Sequence, residues 1–122
     1  MTENILEKII KKKKHKVSEL KKLFDINLLN NTIRENNTYI NFKEKIQHSH
    51  KKKKYSIIAE IKKASPSAGI LIENYDPVKI ANIYKKNNAT CLSVLTEEDF
   101  FLGDLLHINK IKKEIDLPVL CK

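Results

Sequence analysis

Glu60 and Lys62 stand two residues apart at the end of the run SIIAEI, and Lys122 closes another apolar run, LPVLC. Side chains in a strand alternate with period two, so Ile58, Glu60 and Lys62 share one face and Ile57, Ala59 and Ile61 the other. The second face is expected to pack against helices. Leu120 points the same way as Lys122, which repeats the device at the end of a later strand. Burial lowers a lysine's pKa and a neighbouring carboxylate raises it, so a Glu–Lys cluster of this kind can hold a tuned acid. Alternation alone leaves open an ordinary surface pair at a strand end, because ion-pair networks also occur without function.

The elements that must position these residues follow from the pattern after Tyr55. Ser56–Ile61 reads as a first strand. Asp76-Pro77 is a helix start, because Asp caps exposed N–H groups and Pro fits the first turn. The helix VKIANIYKK follows and stops near Asn87-Asn88, where Asn tolerates a left-handed conformation. Residues 90–95 (TCLSVL) form a second strand. Gly103-Asp104 opens the helix LLHINKIKKEI, with Leu105, Ile108, Ile111 and Ile115 at helical spacing. Residues 117–121 (LPVLC) form a third strand, with Pro118 at its tolerated first positions. The order β-α-β-α-β implies a parallel sheet with right-handed crossovers. Near-continuous apolar strands fit a sheet covered on both faces. An open doubly wound sheet and a (β/α)8 barrel both satisfy this pattern. In a barrel, Glu60, Lys62 and Lys122 would lie at the C-terminal mouth, where barrel enzymes keep their chemistry.

The first 54 residues have a different texture. Residues 3–24 read as a helix, with Ile5, Ile9, Ile10, Val17, Leu20 and Phe24 near helical spacing, or as two helices with the second beginning at Ser18. The Asn-rich stretch 27–37 reads as a linker. Residues 39–47 read as a short helix, and HSHKKKK at 48–54 as a polar loop. His48 and His50 have no acidic or cysteine neighbour in sequence, so no metal site is expected there.

The bulk composition narrows the classes of function. The chain has 122 residues, a net charge of +9 and 41% apolar residues, enough for one core. No apolar run approaches the roughly 18 residues of a membrane span, and the N-terminus has no secretory pattern. Cys91 and Cys121 lie in apolar runs and read as buried, reduced thiols of a cytoplasmic protein. A basic chain raises the possibility of a nucleic-acid-binding module. Against it, Arg34 is the only arginine among 24 basic residues, and arginine is the residue that forks onto guanine and phosphate. The runs KKKK at 11–14 and 51–54 read as solvated faces. No Gly-rich phosphate motif follows any strand, and the only glycines are Gly69 and Gly103.

Taken together, AEIKKASPSAG (59–69), YDPVKIANIYKKNNATCLSVLTEEDFFLGD (75–104) and LPVLCK (117–122) resemble the indole-3-glycerol-phosphate synthase family. The matching motifs are a first strand A-E-x-K-x-x-S-P-S, a second strand S-V-L-T-E with an F-x-G loop after it, and a third strand ending P-x-L-x-K. LEKIIKKKKHKV also resembles the family's N-terminal helix, whereas the link from Leu23 to about Lys54 matches loosely. One departure is Ala68, a loop position where many relatives have Lys.

The resemblance implies a (β/α)8 barrel, with residues 1–54 as an N-terminal helical extension and 55–122 as its first three strands and two helices. It implies ring closure, decarboxylation and dehydration of a phosphorylated carboxyphenylamino-deoxyribulose to indole-3-glycerol phosphate, in tryptophan biosynthesis. It implies no metal, no organic cofactor, no nucleic acid and no membrane partner. Lys122 is the implied general acid, and Glu60 orients it and aids proton transfer. Lys62 meets the substrate carboxylate and shares acid duty. Ser65 shapes the substrate pocket, and Phe101 packs on the anthranilate ring. The family's general base on the fourth strand and its phosphate loops have no counterpart in these 122 residues. The expectation is therefore an N-terminal fragment, inactive alone, whose parent chain is either single or fused to phosphoribosylanthranilate isomerase. A decayed gene product is the other reading of so short a chain.

Overall fold

The computed structural model describes residues 4–36 and 38–122. Its backbone divides into two compact units, Met1–Thr38 and Tyr39–Lys122. The first holds two helices, α1 (Ile5–Leu23) and α2 (Ile26–Glu35). Asn4 starts α1 with a reciprocal cap: its Oδ1 accepts the Glu7 N–H at 2.9 Å, and Glu7 Oε2 accepts the Asn4 N–H at 3.0 Å. The helix runs unbroken past Ser18, so no second helix begins there. Asp25 caps α2 through the Asn27 N–H. Residues 26–35 are thus a helix and not a linker: the Asp25 cap and the spacing of Ile26, Leu29 and Ile33 outweigh the Asn content. Asn37, the last residue of that expected linker, and Glu3, the first of the expected N-terminal helix, lie outside the described residues.

The second unit opens with α3 (Phe42–Lys51), capped by Asn41. This helix continues through His48 and His50, where a loop was expected. Polar residues do not break a helix when they lie on its exposed side. The chain turns out of α3 at Lys53, which adopts a positive φ of 54°.

Three parallel strands follow: β1 (Ile58–Ile61), β4 (Cys91–Val94) and β5 (Val119–Cys121), in the order β1-β4-β5. Between β1 and β4 lie a two-residue hairpin, β2 (Ala64–Ser65) with β3 (Gly69–Ile70), and the helix α4 (Pro77–Lys86). The helix α5 (Leu105–Glu114) links β4 to β5. Asp76 caps α4 by accepting from the Val78 and Lys79 N–H groups, both at 3.0 Å, and Asp104 caps α5 through the Leu106 N–H. Asn88, just past α4, takes the left-handed conformation at φ 65°.

One face of the sheet carries the core. Ile61, Leu92 and Val94 pack with Ala81 of α4 and Ile111 of α5, and Ile115 and Leu117 complete the cluster. All five of the first-named side chains are fully buried. Ala59, Val78, Tyr84, Ile108 and Val119 pack around it. Ile57 does not join this face; it is about half exposed at the N-terminal side of β1, with its N–H held by the Thr90 hydroxyl at 3.0 Å. Cys91 is buried in the central strand, but Cys121 is exposed, because β5 is an outer strand of the sheet. Both cysteines are free thiols. Among the described residues, no helix is long and apolar enough to cross a membrane.

Candidate active site

The opposite face of the sheet holds the charged cluster. The register sets Glu60 beside Ser93, and Ser93 beside Leu120, so one row crosses all three strands. Ser93 is buried at the centre of that row. Two residues further on, the strands end and the lysines begin. Lys122 Nζ donates to Glu60 Oε2 at 2.6 Å, and Lys62 Nζ lies 2.8 Å from Glu60 Oε1. One carboxylate therefore bridges two ammonium groups with separate oxygens.

These contacts set the charge of the site. The Lys122 hydrogen bond, and then the Lys62 hydrogen bond, hold the Glu60 carboxyl below its ordinary range, while partial burial pushes the other way. Glu60 and Lys62 keep about a third of their side-chain surface exposed, and Lys122 about half. Water reaches the pairs and screens them, so they add only a little stability and chiefly place donors. The arrangement presents ammonium N–H groups at the C-terminal end of a parallel sheet, with an ionised carboxylate behind them. A negative substrate group can be held there, and a proton can be delivered from the same place.

Backbone contacts fix the end of β5. The Lys122 N–H donates to the Val94 carbonyl at 3.0 Å, and the Lys122 carbonyl accepts from both the N–H and the hydroxyl of Thr96 at 2.8 Å. The main chain under Lys122 is thus held on both sides of its side chain by the segment that ends β4.

The loop after β4 is shaped by close packing. A Cβ on Gly103 would lie 2.3 Å from the Leu95 carbonyl oxygen, so only glycine fits there. The Gly103 N–H bonds the Glu97 carbonyl at 2.7 Å, and Glu97 Oε2 accepts the Phe100 N–H at 2.7 Å. Leu102 is held at φ 52°, an uncommon state for a bulky residue. Phe101 is half-buried in this loop. Ser65 is half-buried in β2, where its Oγ accepts the Ala68 N–H at 3.2 Å and lies 3.5 Å from Ser67 Oγ. The structure brings Glu60, Lys62 and Lys122 together. Among the described residues, Ser65 and Phe101 make no hydrogen bond or ion pair with those three.

Two further groups carry no signal in the sequence. The Tyr84 hydroxyl donates to the Glu60 backbone carbonyl at 3.0 Å. His107 packs its ring against Tyr75, with centroids 5.4 Å apart, and its Nδ1 is buried without a hydrogen-bond partner. A Tyr or His at a helical position reads as core, and only the fold shows what it faces. Among the described residues, no group of three His, Cys, Asp or Glu side chains could hold a metal ion.

Comparison with known proteins fits this geometry. The family model described as indole-3-glycerol phosphate synthase matches residues 6–122. An indole-3-glycerol phosphate synthase of Acaryochloris marina is 40% identical over 119 residues, covering 98% of this chain and 39% of the relative. The chloroplastic one of Arabidopsis thaliana is 40% identical over 121 residues, 98% of this chain and 30% of the relative. That of Thermoanaerobacter pseudethanolicus is 43% identical over 118 residues, 97% of this chain and 44% of the relative. The chain thus spans less than half the length of these curated relatives. With the family model matched across all but its first five residues, this chain belongs to the indole-3-glycerol phosphate synthase family.

Proposed function

We propose that this chain supplies the proton-donating part of an indole-3-glycerol phosphate synthase site, in a (β/α)8 barrel of which it forms the N-terminal portion. The observation that carries the reading is the double bridge of Glu60 to Lys122 and Lys62 at the C-terminal end of a parallel sheet. Family membership supports the substrate class, a carboxyphenylamino-deoxyribulose phosphate. In this reading Lys122 protonates the ketone oxygen as the aromatic ring carbon that bears the carboxylate attacks the ketone carbon. The new C–C bond forms, and the ring carboxylate leaves as CO2 while its bonding electrons restore the aromatic ring. A second proton carries the hydroxyl off as water, and the methylene carbon beside the nitrogen gives up its proton to the family's fourth-strand base. Lys62 holds the carboxylate until it departs and shares the proton delivery. Glu60 keeps both ammonium groups in place and passes protons. Ser65 shapes the pocket, and Phe101 lies along the anthranilate ring. The work belongs in the cytoplasm, and no metal or organic cofactor takes part.

The test is turnover of that substrate by the polypeptide as its source cells make it, followed by indole absorbance. Activity that collapses in Lys122→Ala supports the reading. Full activity in Lys122→Ala would sink it. A polypeptide of residues 1–122 alone is expected to give no turnover, since it spans 30–44% of the active relatives' length.

A further inference from the structure

We infer that Tyr84 is a positioning residue for the Glu60–Lys62–Lys122 cluster, acting through the Glu60 main chain. The ladder between β1 and β4 uses alternate residues of β1. The Ile57 carbonyl accepts from the Cys91 N–H at 3.1 Å, and the Ile61 carbonyl from the Leu95 N–H at 3.1 Å. In a parallel strand the backbone groups of alternate residues point to opposite sides. Odd-numbered residues of β1 therefore face β4, and the N–H and carbonyl of Glu60 face away from it. The one residue whose side chain organises both lysines has no ladder bond to β4.

Tyr84 fills that gap. It stands on the last turns of α4, half-buried, with its ring packed against the core cluster and its hydroxyl 3.0 Å from the Glu60 carbonyl. The ring is seated by the core, so the hydroxyl is a fixed donor rather than a wandering one. A carbonyl oxygen has two lone pairs, so this bond is compatible with another strand pairing on the same edge. The bond sets the height and twist of β1 at residue 60. Both carboxylate contacts are short, 2.6 and 2.8 Å, and a shift of the strand end would lengthen at least one of them. Small misplacements of this kind reduce rate far more than they reduce stability.

The inference depends on the proposed activity for its kinetic readout only. Its first readout is the titration of the Glu60 carboxyl, followed by carbon NMR in the polypeptide as its source makes it. Tyr84→Phe removes the hydroxyl and keeps the ring. Val78→Ala, on the same helix and packed on the same core, is the control for loosened packing without the bond. The expected result is a Glu60 titration that moves up towards the ordinary value in Tyr84→Phe and stays in place in Val78→Ala. In the synthase assay, kcat is expected to fall about two- to tenfold in Tyr84→Phe with KM little changed, as fits one neutral hydrogen bond. An unmoved Glu60 titration in Tyr84→Phe would overturn the inference, and so would an equal movement in Val78→Ala. A moved titration in a protein without synthase activity would keep the inference and remove the proposed function.

Discussion

Glu60 Oε2 lies 2.6 Å from Lys122 Nζ across 62 residues of chain. The contact exists because β1 and β5 are both hydrogen-bonded to β4, in a register that ends the two outer strands at one level. The pair is a readout of sheet assembly as well as part of the proposed site.

Removing the proposed acid should cost most. Lys122→Ala in the polypeptide as its source cells make it is expected to lower kcat of the proposed reaction by about 10²–10⁴, the usual range for a lost general acid. Lys62→Ala should raise KM more than it lowers kcat, if its main task is to hold the substrate carboxylate. Steady-state kinetics on the two variants separates the roles, and identical kinetic patterns would contradict the assignment.

Glu60 should make stability depend on acid pH. Its carboxyl is held below the ordinary 4.5 by Lys122 first and Lys62 second. A depressed carboxylate contributes stability that is present above 4.5 and is lost as pH falls through its folded-state pKa. The thermal midpoint should drop with acidification in that window, and Glu60→Gln should flatten the drop. The groups are partly exposed, so added salt should shrink the effect.

His107 should act in a higher window. Burial pushes its pKa below 6.5, with Asp104 opposing and Lys110 and Lys63 adding to the shift. A base with a depressed pKa contributes stability that is present above 6.5 and is lost as pH falls below it. Unfolding midpoints at pH 7.5 and pH 5.5 should differ less in His107→Gln than in the unaltered chain. An unchanged difference would mean that other groups carry it.

Gly103→Ala should destabilise the protein by about 1–3 kcal/mol, the range for an inserted methyl without room. The new Cβ would meet main-chain atoms of Leu95 and Thr96, which cannot swing aside as a side chain can. Denaturant unfolding measures the loss. The same shift should disturb the Thr96 bonds to Lys122, so catalysis should weaken with stability.

Much of the second unit was legible before the fold was known. Asp76-Pro77 and Gly103-Asp104 carry their helix starts in plain chemistry, and the run CLSV can only be a buried strand. The Glu60–Lys62–Lys122 cluster followed from period-two alternation at two strand ends. What escaped had weaker local signals. The hairpin of Ala64–Ser65 with Gly69–Ile70 is too short for any period to show. The helix α2 hid behind asparagines, although Asp25 and the isoleucine spacing marked it. Tyr84 gives no hint in sequence, since its partner is a backbone carbonyl 24 residues away. Exposure at Cys121 depends on strand order, which composition does not encode.

Each strand of the main sheet pairs with the next one along the chain, and the crossover helices α4 and α5 pack on β1 and β5. Such contacts close within one βα repeat and do not wait for distant sequence. Every strand partner in the register that joins Glu60 to Lys122 therefore lies within residues 58–121. Gene recombination that moves residues 58–122 therefore carries the two lysines, the carboxylate and the register that joins them as one heritable block.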